Sequence, residues 1–130
     1  MTKIEPYCAP TVFDPPTYSQ AVKVTGADAI LFLSGQVAYA PDGSVLHPND
    51  FEAQAHEAFR AIKALVEEAG GTLQNVVKLN TYLTDINHRP ALAGVRDAYF
   101  PNGAPASTLI EISALAQPDW LIEIEAIAVL

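Results

Sequence analysis

Hydrophobic and polar positions along the chain change period several times, and each change marks an element. Residues 18–24, YSQAVKV, alternate in the period-two manner of a strand with one buried face. TGAD at 25–28 reads as a turn, and AILFLSGQVA at 29–38 as a second strand, so a hairpin is predicted. APDGSV at 40–45 is another turn, leading into a short strand. The period then becomes helical. Phe51, Ala55, Ala58, Phe59, Ile62, Leu65, Val66 and Ala69 make one apolar stripe. Asn49 is the candidate N-cap with Glu52 three residues on, and Gly70-Gly71 is the stop. VVKLNTYLTD at 76–85 returns to a strand, residues 90–100 from Pro90 form a shorter helix, and STLIEI at 107–112 and LIEIEAIAVL at 121–130 are the last two strands. Pro6, Pro10, Pro15 and Pro16 make the first seventeen residues extended and irregular.

The order β-β-α-β-α-β-β predicts an α/β fold of the two-layer α+β kind: one mixed sheet with two helices on one face, in a single domain spanning 1–130. Sorting the strand residues by parity puts Leu31, Leu33, Val77, Leu79, Leu83, Ile110, Ile112, Ile122 and Ile124 beneath the helices. The other face receives Phe32, Ser34, Gln36, Lys78, Asn80, Tyr82, Ser107, Leu109, Glu111, Glu123, Glu125 and Ile127. That second set is too polar for a core and too apolar for a water-facing surface. It suits an interface with another subunit, with a wet cavity in it where the two glutamates lie.

Composition narrows the classes. Half of the 130 residues are hydrophobic and 17% are charged, which is a folded chain's balance. The net charge of −8, with only seven scattered Lys and Arg, argues against a nucleic-acid partner. No apolar run reaches membrane-spanning length, and the N-terminus lacks a signal-peptide stretch, so no membrane role is expected and a cytoplasmic location is the simplest reading. The single cysteine, Cys8, agrees with that and reads as a stray thiol. His56 follows Glu52 by four residues, a spacing that permits a metal pair, but no third ligand is evident; neither metal nor cofactor is expected.

Five segments taken together, YSQAV (18–22), SGQV (34–37), VVKLNTYLTD (76–85), PASTLIEI (105–112) and IEIEAIA (122–128), resemble the RidA/YjgF family in this order and at this spacing. The resemblance implies a chorismate-mutase-like fold, a homotrimer with sheets around a central barrel, and small-molecule clefts between subunits. It implies hydrolysis of reactive enamines and imines to ketones and ammonia. On that resemblance Glu123 is the candidate catalytic residue that positions or activates water. Tyr18, Ser34, Gly35, Ser107, Thr108 and the Leu109 backbone N–H are the candidate substrate contacts.

One departure stands out. The deaminases read Pro-Ala-Arg-Ser where this chain reads Pro105-Ala106-Ser107-Thr108, so Ser107 takes the place of the arginine that grips a substrate carboxylate. Ala93 likewise stands near the place of a family asparagine. An arginine-lacking branch is implied, and losing such a charge-assisted pair weakens carboxylate binding by roughly 2–5 kcal/mol. Three functions stay open: a hydrolase of altered substrate choice, a binding or regulatory member without turnover, and, least compatible with the charge, an endoribonuclease. Glu123 and Glu125 fit either acid–base work or ion pairs with Lys78 or a neighbouring subunit. Arg89 and Arg96 read as solvated helix residues, or Arg96 as paired within its own helix, with replacement of the missing arginine as the other option.

Overall fold

The computed structural model describes residues 1–130. The elements are β1 (Lys3–Tyr7), β2 (Tyr18–Ser19), β3 (Ala21–Thr25), β4 (Ile30–Gln36), α1 (Phe51–Glu68), β5 (Val76–Leu83), α2 (Arg89–Tyr99), β6 (Ala104–Glu111) and β7 (Ile122–Val129). A five-stranded mixed sheet has the order β2-β6-β5-β7-β4, parallel at β2–β6 and β6–β5 and antiparallel at β5–β7 and β7–β4. Both helices pack on one face, as the patterning predicts.

The predicted hairpin between 18–24 and 29–38 does not form. β3 pairs instead with β1 in a separate two-stranded ribbon, with Ile4 opposite Val24. β4 pairs with β7, setting Leu31 against Ala128 and Leu33 against Ala126. The N–H groups of Asp28 and Ala29 both donate to the Leu130 carbonyl, at 2.7 and 3.3 Å, and so deliver the chain to the C-terminal strand. The proline-bearing N-terminus is thus partly ordered, because Pro6 sits on a ribbon strand with a single neighbour and costs no ladder bond on its free side.

Helix α1 starts one residue later than expected. Asp50 is the N-cap, accepting the Ala53 N–H at 3.1 Å, while Asn49 adopts a left-handed φ of 63°. Gly70, at φ 94°, ends the helix with its N–H on the Glu67 carbonyl. The helix buries Phe51, Ala55, Ala58, Phe59, Ile62 and Val66 against the sheet; Leu65, expected in the stripe, is exposed. Full burial of each large apolar side chain stabilises by roughly 1.5–3 kcal/mol. Gln54 is buried in the same face and is saturated: its Nε2 donates to the carbonyls of Asp119 (2.8 Å) and His47 (3.0 Å), and its Oε1 accepts the Leu121 N–H at 2.8 Å. It ties α1 to the residues that lead into β7.

The helix-covered face carries Leu79, Leu83, Ile122, Ile124, Ala126 and Ala128. Two bulges alter the expected parity. The first, between Val76 and Lys78, puts Val76 into the core and leaves Val77 half-buried. The second, between Leu33 and Gln36, turns Gln36 inward opposite Ile124. On β6 the expectation inverts. Ser107 pairs with Leu79, Leu109 with Thr81 and Glu111 with Leu83, so all three take the helix-covered side, and Ile110 is exposed on the open side. The open face is laid out in rows by the registers: Ala106, Lys78, Ile127 and Phe32; then Thr108, Asn80 and Glu125; then Ile110, Tyr82 and Glu123. Phe32, at 77% exposure, stands on this uncovered surface.

Candidate functional site

The two glutamates that break the apolar pattern of β7 have different surroundings. Glu125 accepts the Tyr82 hydroxyl at 2.6 Å and the Asn80 amide at 3.1 Å. That bond, with a smaller desolvation effect and the negative charges of Glu125 and Glu123, holds the Tyr82 phenol above its ordinary value of 10.0. Lys78 makes no ion pair with either glutamate; its Nζ donates to the Thr108 Oγ1 at 3.0 Å. Glu123, half-buried, has no hydrogen-bond or ion-pair partner within the chain. Its side chain lies across the backbone of Gly35. A Cβ built on Gly35 would come within 2.6 Å of the Glu123 Cδ and 2.7 Å of its Oε2. The bulge of β4 and the glycine within it thus make room for one unengaged carboxylate, with Ser34 exposed beside it.

The other candidates gather elsewhere. A cavity of about 440 Å³ opens between α2 and the β2–β6–β5 part of the sheet. Tyr18, Ser107 and Leu109 line it, together with Thr81 from β5 and Leu92, Ala93, Arg89 and Arg96 from α2. β2 pairs with β6 only as far as Ala106, so Ser107 to Glu111 are flanked by β5 alone. Glu111, on the helix-covered side by register, is engaged by the Ile86 N–H, which it accepts at 2.9 Å.

Within one chain the candidates therefore form two half-sites. Gly35, Glu123 and Ser34 lie on the open face toward the β4 edge, with Thr108 on the same face across β5. Tyr18, Ser107 and Leu109 lie on the helix side toward the β2 edge. The sheet and β5 separate Glu123 from Ser107.

The residues that sequence reasoning undervalued are Thr81, Arg89 and Arg96. A signal for the arginines exists in the sequence: Arg89, Ala93 and Arg96 recur at i, i+4 and i+7, one face of a helix. Two of the three histidines have polar partners, while His88 stacks on Phe51 with its Nδ1 buried and unpartnered. His56 Nδ1 is 2.9 Å from the Tyr99 hydroxyl, and His47 is 3.6 Å from Glu57. No three acidic, histidine or cysteine side chains converge as a metal site does. No helix is long and apolar enough to cross a membrane.

Comparison with known proteins agrees with this geometry. The family profile described as Endoribonuclease L-PSP matches residues 13–130. A RutC family protein of Pyrococcus abyssi is 39% identical over 111 residues, covering 85% of this chain and 84% of the relative. The 3-aminoacrylate deaminase RutC of Acinetobacter baylyi is 34% identical over 114 residues, covering 88% and 90%. Among solved structures, a Rid-family protein of unknown function from Yersinia pestis superposes with a TM-score of 0.86 at 29% identity over 98% of both chains. RidA of an Antarctic Psychrobacter species gives 0.72 at 35% identity over 96% and 93%. With the family profile spanning almost the whole chain and the sheet-and-helix arrangement shared with solved Rid proteins, this chain belongs to the RidA/YjgF family and has its chorismate-mutase-like fold.

Proposed function

We propose that the chain is a RidA-like hydrolase that converts small reactive imines or enamines to carbonyl compounds and ammonia, in clefts between the subunits of a homotrimer. The observation that carries this is the unengaged Glu123 carboxylate resting on Gly35, in a chain related to a protein named as a deaminase. A carboxylate without a structural partner is free to take a proton. Water adds to the imine carbon while Glu123 accepts one of its protons. Glu123 passes that proton to the nitrogen, giving a carbinolamine, and then carries the carbinolamine's hydroxyl proton to the amino group; the C–N bond breaks, ammonia leaves as the C=O group forms, and the carboxylate is ready for the next water.

Assembly follows from the two half-sites. Glu123 and the Ser107 cavity do not meet within one chain, and the open face with its exposed Phe32 and Ile110 lacks a covering layer. A neighbouring copy seated on that face brings one chain's Glu123 to another's cavity. In this reading Ser107 marks the arginine-lacking branch, the cavity takes a small molecule and needs no cofactor, and the protein works in the cytoplasm. The scattered basic residues and the −8 charge favour hydrolysis over ribonuclease action. A binding module without turnover is the second reading, supported by the loss of the β6 arginine at Ser107.

Glu123→Gln separates the two. It keeps the shape and removes the ionisable group. A screen of small imines that follows ammonia release should show turnover lowered about a hundredfold or more, with ligand affinity little changed. Undiminished turnover in the variant removes Glu123 from the mechanism, and absence of turnover in the wild type leaves the binding module.

A further inference from the structure

The chain carries seven Lys and Arg against fifteen Asp and Glu, yet two of those seven line one cavity that no acidic side chain lines. Arg96 is the more enclosed, with only 17% of its side chain exposed. Its one charge contact is the carboxylate of Asp97, its neighbour in sequence, at 3.9 Å, and Asp97 is itself 68% exposed. No side-chain hydrogen bond engages this guanidinium within the chain, so its N–H donors face the water of the cavity and are available to an acceptor that enters it. Arg89 has no carboxylate within ion-pair distance and stands at the start of the same helix. The carboxylate nearest the cavity by register, Glu111, is occupied by the Ile86 amide.

The spacing adds a shape. Arg89, Ala93 and Arg96 follow one face of α2, about 10 Å from first to last at 1.5 Å per residue. The methyl of Ala93 between them leaves open space. Facing that gap from the sheet are the hydroxyl-bearing side chains of Thr81 and Ser107, with Tyr18 at the edge. Cationic groups on one wall and small hydroxyls on the other make a receptor for a small carboxylate.

We propose that Arg96, supported by Arg89, is this chain's carboxylate anchor: the grip that Ser107 on β6 no longer supplies is supplied from α2, across the cavity. The proposal rests on the reading of this cavity as the substrate half-site, and to the carboxylate-bearing class that the family resemblance implies it adds the residues that would hold it here. Two guanidinium groups two helical turns apart extend that class to short dicarboxylates, with one carboxylate on Arg96 and the other toward the rim at Arg89.

The test is direct binding, independent of turnover. Propanoate, succinate and the neutral analogue propanamide are titrated into the assembled wild-type protein by calorimetry or NMR. Propanoate should bind at least about tenfold more tightly than propanamide, and succinate at least as well as propanoate. Arg96→Gln should weaken propanoate by about tenfold or more and abolish its advantage over the amide. Arg96→Lys should fall between, because an ammonium keeps the charge without the planar fork. Arg89→Gln should affect succinate more than propanoate, and Lys63→Gln, on the far surface of α1, should change neither. Equal binding of acid and amide by the wild type, no carboxylate binding at all, or unchanged affinity in a folded Arg96→Gln protein each overturns the anchor. Carboxylate binding that depends on Arg96 without any ammonia release sustains the anchor and refutes the hydrolase. Ammonia release from neutral and carboxylate imines alike does the reverse.

Discussion

Gln54 is the polar residue on which the position of strand β7 depends. Its side chain is fully buried and makes three hydrogen bonds of 2.8–3.0 Å to His47, Asp119 and Leu121. Leucine is close to it in size and apolar, so Gln54→Leu removes the bonds with little change in packing volume. The His47 carbonyl keeps a second donor, the Asp50 N–H at 3.1 Å. The Asp119 carbonyl and the Leu121 N–H have no other bond in the chain and are stranded. Each partly buried backbone group left unsatisfied costs roughly 1–3 kcal/mol. Burial of the leucine returns about 1–2 kcal/mol. The net expectation is a loss of about 2–4 kcal/mol. For a chain of this length that is a fall in Tm of roughly 6–20 °C. Urea denaturation at a fixed protein concentration measures it, since association contributes to apparent stability. The midpoint should fall without a change in slope. Because Leu121 stands two residues before Glu123, activity in the folded variant should fall as well. A loss below about 1 kcal/mol would show that these backbone groups find water instead, and that Gln54 does not fix the start of β7.

The remaining predictions follow from the open face. Gly35→Ala displaces the Glu123 side chain through the 2.6 Å contact, and because that side chain is flexible and half-buried the stability loss should stay near about 1 kcal/mol while turnover drops toward that of Glu123→Gln; an active Gly35→Ala enzyme contradicts the placement of the carboxylate. The Tyr82 phenol is raised above 10.0 by its bond to Glu125, so its contribution to stability is present in full below pH 10 and is lost as the pH rises through the native value; Tyr82→Phe should be less stable at neutral pH and should lose less on alkaline titration, as followed by ultraviolet difference spectra and denaturation. Light scattering at micromolar protein should give three times the 13.9 kDa chain mass, and a monomer would remove the intersubunit cleft.

Much of the architecture was legible in the sequence because period and punctuation are local properties. The α1 stripe, the Gly70 stop and the alternation of β7 each follow from a few neighbouring residues, and so does the oddity of Glu123 and Glu125 among apolar side chains. Strand partners were not legible. The pairing of β4 with β7 and of β3 with β1 depends on which edge the turn at Asp28 and Ala29 reaches, and that is a long-range bond to Leu130. The parity of β6 was hidden for a related reason. Leu109 and Ile110 are both apolar, so period two assigns neither to a face, and only the register with β5 sends Ser107 and Leu109 toward α2. Motif resemblance named Glu123, Gly35 and Ser107, but only the tertiary structure shows Glu123 lying on Gly35 with no partner while Glu125 is held by Asn80 and Tyr82. Arg96 looked like any solvated helix residue in the linear text. Its enclosure is decided by which face of α2 the sheet covers, a fact that exists only once helix and sheet have packed.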